Sequence, residues 1–145
     1  MAVLLDTNIL LRIVQPHHPQ CAQAARALHS LRGRNEALVV TQQNIVEFWA
    51  VTSRPLAANG LGWGTDRVRE EVASLRELFS ELPELPLQTA WEGLVQRYRV
   101  TGKNVHDARL VAAMLVNDVR QILTFNAKDF ARYSEIRALD PASVA

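Results

Sequence analysis

The sequence predicts an α/β protein: a three-layer α/β/α sandwich with a central, mostly parallel, Rossmann-like sheet. Short apolar runs alternate along the chain with longer segments of helical character, which is the order of β-α-β units. The runs are continuous in hydrophobicity, as in strands that are buried on both faces. The sequence contains no repeat, low-complexity tract or linker, so we expect one domain over residues 1–145.

Five short segments are predicted as strands, and they lie at residues 2–5, 37–40, 85–87, 121–125 and 136–139. The first two, AVLL and ALVV, are too short for helices and stop at polar residues. The third lies beside Pro83 and includes Pro86, which cannot donate to a central ladder, so we expect it at an edge of the sheet.

Six segments have helical character, and they lie at residues 18–31, 41–53, 65–82, 89–100, 105–119 and, as a single turn, 127–133. Gly33 and Gly102 are placed to end the first and the fourth, because glycine adopts a positive φ without strain. Thr41 can cap the second. The glycine-rich segment at 54–65 predicts a mobile loop in which Trp63 is exposed or faces a partner. Packing of Trp63 on its own domain is the equally weighted alternative.

The composition is that of a folded protein with balanced charges. The 145 residues hold 16 Lys and Arg against 15 Asp and Glu, and this net charge of +1 argues against a polycationic arm that binds nucleic acid by charge alone. A core of this size needs neither a disulfide nor a metal for stability. Cys21 is the one cysteine and is expected in the core, so an intramolecular disulfide and a cysteine-rich zinc site are excluded.

Neither a membrane span nor a signal peptide is recognisable in the sequence. No run approaches the roughly 18 apolar residues of a spanning helix. The first six residues lack the basic flank and long apolar run of a signal peptide. We therefore expect a soluble, cytoplasmic protein with no membrane partner.

The polar residues directly after apolar runs are Asp6, Thr41 and Asn126, where Asp6 follows AVLL and Asn126 follows ILTF. Ligand sites of open parallel sheets lie outside the carboxyl ends of the strands, so Asp6 and Asn126 are candidates for a site at one edge. Asp6 is equally well explained as the N-cap of a following helix, a position that favours aspartate.

Two further acidic residues lie on helices that begin at the same predicted edge. Asp107 precedes apolar residues three, four, seven and eight positions later, so it should face the sheet, where a carboxylate is costly without a compensating cation or strong donors. A capping box with Asn104 is the alternative. Glu47 lies on a helical face of mixed character and, taken by itself, is better explained as a solvated side chain.

Together, Asp6, Glu47 and Asp107 come from three segments that begin at one edge of the sheet. Hard oxygen ligands gathered in this way are what Mg²⁺ or Mn²⁺ requires, and like charges held close would repel each other without a cation. The four histidines are scattered and indicate no zinc site. A phosphatase with a DxDxT motif is disfavoured, because Asn8 stands where its second aspartate would be.

The segments that carry these acids resemble the motifs of the PIN-domain family of metal-dependent ribonucleases, and within it the VapC-like toxins of bacterial and archaeal toxin–antitoxin pairs. In chain order the segments are LLDTNILL, QNIVEFWAV, NVHDARLVAAM and ILTFNAKDF. The resemblance implies that Asp6, Glu47 and Asp107 bind Mg²⁺ or Mn²⁺. It also implies a fourth catalytic position in the last segment, where Asn126 replaces the aspartate of some relatives and Asp129 is the alternative carboxylate.

The resemblance further implies an endoribonuclease toxin that cleaves single-stranded or structured RNA (tRNA, rRNA or mRNA), leaves a 5′-phosphate and a 3′-hydroxyl, and is neutralised by a cognate antitoxin. A homodimer is expected. Thr7, Asn8, Lys103 and Arg109 are candidates for contact with substrate, although turn formation explains the first two equally well and a solvated surface explains most such charges. The alternative function is a PIN-like domain that binds RNA or a protein without cutting, because one missing carboxylate lowers the affinity for metal.

Overall fold

The computed structural model describes residues 1–144, and Ala145 of the predicted domain lies outside the described residues. Five strands form the sheet: Ala2–Leu5 (β1), Ala37–Val40 (β2), Ser80–Glu81 (β3), Gln121–Leu123 (β4) and Arg137–Leu139 (β5). Each neighbouring pair is parallel, in the spatial order β3-β2-β1-β4-β5. The predicted α/β class with a parallel central sheet is therefore confirmed.

The helices of residues 1–144 are Thr7–Ile13 (α1), Cys21–Gly33 (α2), Gln42–Ser53 (α3), Thr65–Leu78 (α4), Gln88–Tyr98 (α5), Asn104–Val116 (α6), Ala127–Phe130 (α7) and Pro141–Val144 (α8). A 3₁₀ turn at Leu56–Ala58 follows α3. No helix in this part of the chain has the length and apolar character that crossing a membrane requires. Cys21, which we expected in the core, begins α2 and is half-buried.

The strands separate two apolar layers, and this explains why the apolar runs of the sequence are continuous. Val3 and Leu5 of β1 belong to one core together with residues of α1 to α4, whereas Leu4 belongs to a second core together with residues of α5 and α6. Successive side chains of a strand point to opposite faces, so a strand between two helical layers needs apolar residues at every position.

Three neighbouring strands end at the same edge of the sheet. Leu5 of β1 lies in register with Leu123 of β4, and β2 ends beside them. The residues that follow these strands are Asp6, Thr41 and Thr124, which are 8%, 6% and 0% exposed. The edge therefore carries a row of buried polar side chains, each of which needs hydrogen-bond partners.

The residues after Asp6 form a helix that is not among the predicted helical segments, although an N-cap role of Asp6 was one of its two explanations. Asp6 is extended and caps α1, since its carboxylate accepts a hydrogen bond from the N–H of Thr7. Helix α1 has seven residues, which is too few for a helical period to stand out beside the preceding apolar run. The N-terminus of α1 therefore lies at the same edge as the three strand ends.

The third strand is Ser80–Glu81, and the prediction of a strand at residues 85–87 is wrong. Helix α4 ends at Leu78 rather than residue 82, and Phe79 is extended and buried. Ser80 then pairs with Val39 of β2. A strand of two polar residues has no apolar run that would indicate it in the sequence. Its pairing with β2, rather than burial of its own side chains, stabilises it.

The glycine-rich segment after α3 folds back on the end of that helix. The N–H of Gly62 donates to the carbonyl of Arg54 at 2.8 Å, and the N–H of Trp63 donates to that of Thr52 at 2.9 Å. The half-buried Trp63 packs against the core, with the guanidinium of Arg67 4.0 Å from its ring centroid. Trp63 therefore packs on its own domain, which was one of the two predicted environments.

We expect Gly60→Ala to destabilise the protein, because Gly60 packs against backbone. A Cβ at this position would lie 2.0 Å from the carbonyl oxygen of Arg54. The expected loss is about 1–3 kcal/mol of unfolding free energy, the usual cost of overpacking, measured by urea denaturation. Gly93→Ala is the control, since its Cβ would meet nothing within 4 Å and alanine stabilises a helix interior by about 0.5–1 kcal/mol. A Gly60→Ala variant as stable as wild type would contradict this packing.

Candidate metal centre

Four carboxylates from four segments influence one another at the carboxyl edge of the sheet. Asp6 follows β1, Glu47 lies on α3, Asp107 lies in the first turn of α6, and Asp129 lies on α7. The charges of Glu47 and Asp129 raise the pKa of Asp6. The charges of Asp6, Asp129 and Glu47 raise the pKa of Asp107. We call these four residues the acidic cluster. The predicted acids therefore lie close enough for their charges to interact, and their role as metal ligands stays a prediction.

Asp6 is held by backbone and side-chain donors together. Its N–H donates to the carbonyl of Leu123 at 3.0 Å, which extends the β1–β4 ladder by one residue. Its carboxylate accepts hydrogen bonds from the N–H of Thr7 at 2.8 Å, the hydroxyl of Thr124 at 2.7 Å and the amide of Asn8 at 3.4 Å. Asp6 is therefore both the N-cap of α1 and a member of the acidic cluster, so the two explanations of this residue are compatible.

Burial makes ionisation of Asp6 costly. It raises the pKa of the Asp6 carboxyl above its ordinary value, whereas the hydrogen bonds from Thr124 and Thr7 lower it and the charges of Glu47 and Asp129 raise it again. The N-terminal end of α1 also favours a negative charge here. The hydrogen bonds from the hydroxyl of Thr124 and the N–H of Thr7 therefore offset only part of the cost of burying the Asp6 carboxylate. A cation would offset the rest.

Asp107 is half-buried and has little local support. The capping box with Asn104 that we considered is not formed, because Asn104 is already helical and α6 has no side-chain cap. Burial, together with the charges of Asp6, Asp129 and Glu47, raises the pKa of Asp107 to about 7, against a lowering by Arg132. The surrounding negative charges repel the ionised form of Asp107, and a cation would offset this repulsion.

Glu47 points toward the cluster through one hydrogen bond. The hydroxyl of Thr7 donates to a carboxylate oxygen of Glu47 at 2.9 Å. Thr7 thus contacts two acids, Asp6 through its N–H and Glu47 through its hydroxyl. The amide of Asn8 donates to Asp6 and Thr124, at 3.4 and 3.2 Å. Thr7 and Asn8 therefore hydrogen-bond to carboxylates of the acidic cluster, and their contact with substrate stays a prediction.

The last segment holds two residues in different roles. Asn126 is exposed at the start of α7, and its N–H donates to the hydroxyl of Thr124 at 3.0 Å. Asp129 is also exposed, and its charge reaches Asp6 and Asp107. Asp129 is therefore electrostatically part of the cluster, whereas Asn126 contributes a backbone hydrogen bond to the residue that holds Asp6.

The two basic residues that we considered for substrate contact have different surroundings. Lys103 is exposed immediately before α6. Arg109 donates to the side chains of Gln43 at 2.9 Å and Glu84 at 3.5 Å. Gln43 also donates to the carbonyl of His106 at 2.8 Å, so this group joins the starts of α3 and α6 across the sheet edge.

Sequence reasoning did not identify three residues that shape this site. Thr124 is fully buried and donates to Asp6; Asn44 is fully buried and donates to Thr7 at 3.1 Å; and the charge of Arg132 acts on Asp107. The one available signal was a polar residue inside the run ILTF, where a buried threonine requires a partner. The roles of Asn44 and Arg132 depend on contacts between distant segments.

The donor set fits a hard divalent cation. Its members are carboxylate oxygens, which suit Mg²⁺ or Mn²⁺, and burial and mutual repulsion raise the pKa values of two of them. Within residues 1–144, no three His, Cys, Asp or Glu side chains already converge in an arrangement that could hold a metal ion. Mutual repulsion of the carboxylates opposes such convergence, and a bound cation would reverse it.

Fold and site together define an α/β/α domain that gathers acidic side chains at the carboxyl edge of a parallel sheet. A family profile described as PIN domain matches residues 3–136, which include the whole acidic cluster. The chain belongs to the PIN domain family, as the sequence motifs implied. Comparison with curated proteins gives no match.

Solved structures with the same fold include VapC proteins. The chain superposes on VapBC2 from Rickettsia felis with a TM-score of 0.72 and 14% identity, covering 97% of this chain and 98% of that one. VapBC-1 from nontypeable Haemophilus influenzae gives 0.67 and 16%, covering 98% and 99%. VapC20 from Mycobacterium tuberculosis, described as a Sarcin-Ricin loop cleaving toxin, gives 0.62 and 17%, covering 93% and 98%.

The raised pKa of Asp107 predicts a pH-dependent stability of the metal-free protein. The folded state keeps a proton on Asp107 up to about pH 7, whereas the unfolded chain releases it near its ordinary value of 3.8. Between about pH 4 and 7 the unfolded chain ionises at this residue while folded Asp107 stays protonated, so the free energy of unfolding falls as the pH rises and the loss is complete above about pH 7. We expect Asp107→Asn to raise the Tm in EDTA at about pH 8 and to leave it unchanged at about pH 4.

Scanning calorimetry at the two pH values measures this effect. Glu92→Gln is the control, because Glu92 is exposed on α5, away from the cluster, and its removal should leave the Tm unchanged at both. An Asp107→Asn variant that is no more stable than wild type at the higher pH would contradict the electrostatic strain described here.

Proposed function

We propose that the protein is a cytoplasmic, single-domain endoribonuclease that depends on Mg²⁺ or Mn²⁺ and acts as the toxin of a toxin–antitoxin pair. One observation carries the proposal: acids from four segments of a PIN domain influence one another at the carboxyl edge of the sheet, with the pKa of Asp107 raised to about 7. The fold shared with VapC20, which is described as a Sarcin-Ricin loop cleaving toxin, supports RNA as the substrate.

Asp6, Glu47 and Asp107 would hold the cation, with Asp129 as the fourth carboxylate. When bound, a divalent ion polarises the phosphodiester and lowers the pKa of a water molecule for attack. The residues of the chain fix the geometry: Thr124 and the N–H of Thr7 orient the Asp6 carboxylate, and the Thr7 hydroxyl orients that of Glu47. Because these two carboxylates are already oriented, binding of metal and substrate loses less conformational entropy.

RNA must approach a negative site, so its phosphates need basic partners. Arg132 already lowers the pKa of Asp107, and Lys103 is exposed at the start of the helix that carries Asp107. These two cations and Arg109 are the proposed phosphate contacts. Single-stranded loops are the expected substrates, because their bases can be splayed out from the backbone.

The loss of a metal ligand should abolish cleavage of RNA. We expect Asp6→Asn, Glu47→Gln and Asp107→Asn each to lower the cleavage rate in Mn²⁺ by more than about 100-fold, since even an outer-sphere partner of a metal ligand usually contributes 10–100-fold. Glu92→Gln, on the exposed surface of α5, should retain the wild-type rate. Gel analysis of a defined RNA with added Mn²⁺, Mg²⁺ or EDTA measures these rates.

The contradicting outcome has two forms. A wild-type protein that cleaves no RNA in either metal would refute the nuclease proposal, and retained binding of RNA would then favour the alternative of a silent PIN-like domain. Equal rates for wild type and all three variants would show that the cleavage came from another site or from a contaminant.

Asn126 and Asp129 can be separated by the same assay. Because the charge of Asp129 reaches Asp6 and Asp107, we expect Asp129→Asn to slow cleavage by about 10-fold or more. Asn126→Ala should have a smaller effect, since its N–H still donates to Thr124. The reverse order would assign the fourth position to Asn126. Mapping of new 5′-phosphate ends in total RNA, after induced expression, would identify the substrate.

The antitoxin and a second copy of the chain are the proposed protein partners. Val46 is 66% exposed and lines a groove between α3 and the end of α4, together with Gln42 and Arg76. A single exposed apolar side chain is common on a protein surface, so the fold shared with VapBC2 and VapBC-1 is the main support for these partners. Co-expression with the product of a short upstream reading frame should relieve toxicity, and a solitary gene would argue against the toxin assignment.

A further inference from the structure

A chain of buried hydrogen bonds connects the start of α3 to one carboxylate of the acidic cluster. Its central residue is Asn44, whose side chain is 0% exposed. On one side Asn44 bonds to Thr41, the N-cap of α3, and on the other side to Thr7 of α1. Thr7 in turn bonds to Glu47. Asn44 and Glu47 lie three residues apart on α3, so they share one face of the helix.

The donors and acceptors of this chain allow only one arrangement. The carbonyl oxygen of the Asn44 side chain accepts from the N–H and the hydroxyl of Thr41, both at 2.8 Å. A backbone N–H is an obligatory donor, so the Asn44 amide group must face away from it and toward Thr7, at 3.1 Å. The Thr7 hydroxyl accepts this bond, and its single proton is therefore free to go to Glu47, at 2.9 Å.

Glu47 depends on this contact. Among the described residues, its carboxylate has no hydrogen-bond or ion-pair partner other than Thr7. The side chain is only half-buried, and the charges of Asp6 and Asp107 repel it. Without a fixed donor on the cluster side, a flexible glutamate would turn toward water.

We infer that Asn44 is a positioning residue for Glu47, acting through Thr7, and not only a helix cap. The inference rests on the proposed function, since it assigns Asn44 to the affinity of the acidic cluster for a divalent ion. Its second function, the cap of α3, is separable, because Thr41 can lose its hydroxyl while its N–H still orients the Asn44 amide.

Three variants separate the two roles. Asn44→Ala removes both the cap and the bond to Thr7; Thr41→Ala removes the cap hydroxyl but leaves that bond; Thr7→Val removes the bond to Glu47 but leaves the cap. Thr7→Ser is the matched control, because it keeps the hydroxyl. Calorimetric titration of the metal-free full chain with Mn²⁺ alone, and Tm values in EDTA, are the two readouts.

We expect Asn44→Ala and Thr7→Val to weaken Mn²⁺ binding by about 10–100-fold, as for outer-sphere partners of metal ligands. Thr41→Ala and Thr7→Ser should bind as wild type does, although Thr41→Ala should have a lower Tm. The double variant of Asn44→Ala and Thr7→Val should bind no more weakly than either single variant, because both interrupt the same chain.

Asn44→Ala that binds Mn²⁺ as tightly as Thr41→Ala would overturn the inference and leave the proposed function intact. Wild-type protein that binds no Mn²⁺ would overturn the inference and the metal dependence together. The affinity of wild type thus distinguishes the two failures.

Discussion

Burial of the Asp6 carboxylate at the end of the central strand is the constraint on which the rest of the site depends. The N–H of Asp6 belongs to the ladder with β4, so the residue cannot swing out to water. A carboxylate held in this way needs donors, and the surrounding sequence supplies them: Thr7 begins a helix there, and Thr124 interrupts an otherwise apolar segment. The proposed cation would offset the shortfall that these neutral donors leave.

The acids differ in how firmly the protein holds them. Asp6 has three donors, Glu47 has one, and Asp107 has no hydrogen bond to any described side chain or backbone group outside its helix. Binding of a metal would therefore restrict the conformational freedom of Asp107 more than that of the other two acids. Burial and the charges of the neighbouring acids also raise the pKa of the Asp107 carboxyl. The cluster thus combines one firmly held carboxylate with others that the proposed cation would draw in.

Much of this site was predictable from the sequence, and the remainder has a physical cause. Asp6 and Asp107 could be identified because one follows an apolar run and the other precedes an apolar helical stripe. Both patterns predict a buried carboxylate, which is unusual. Asn44 could not be identified, since its role depends on Thr7, 37 residues away in the chain. For the fold, β3 escaped prediction because two polar residues carry no periodicity, and α1 because it is short.

Anomalous diffraction from crystals soaked in Mn²⁺ would locate a bound ion. We expect an anomalous peak at the carboxyl edge of the sheet, within about 2.0–2.3 Å of oxygens from Asp6 and at least one of Glu47 and Asp107. The absence of a peak there, or a peak only at surface residues outside the acidic cluster, would contradict it.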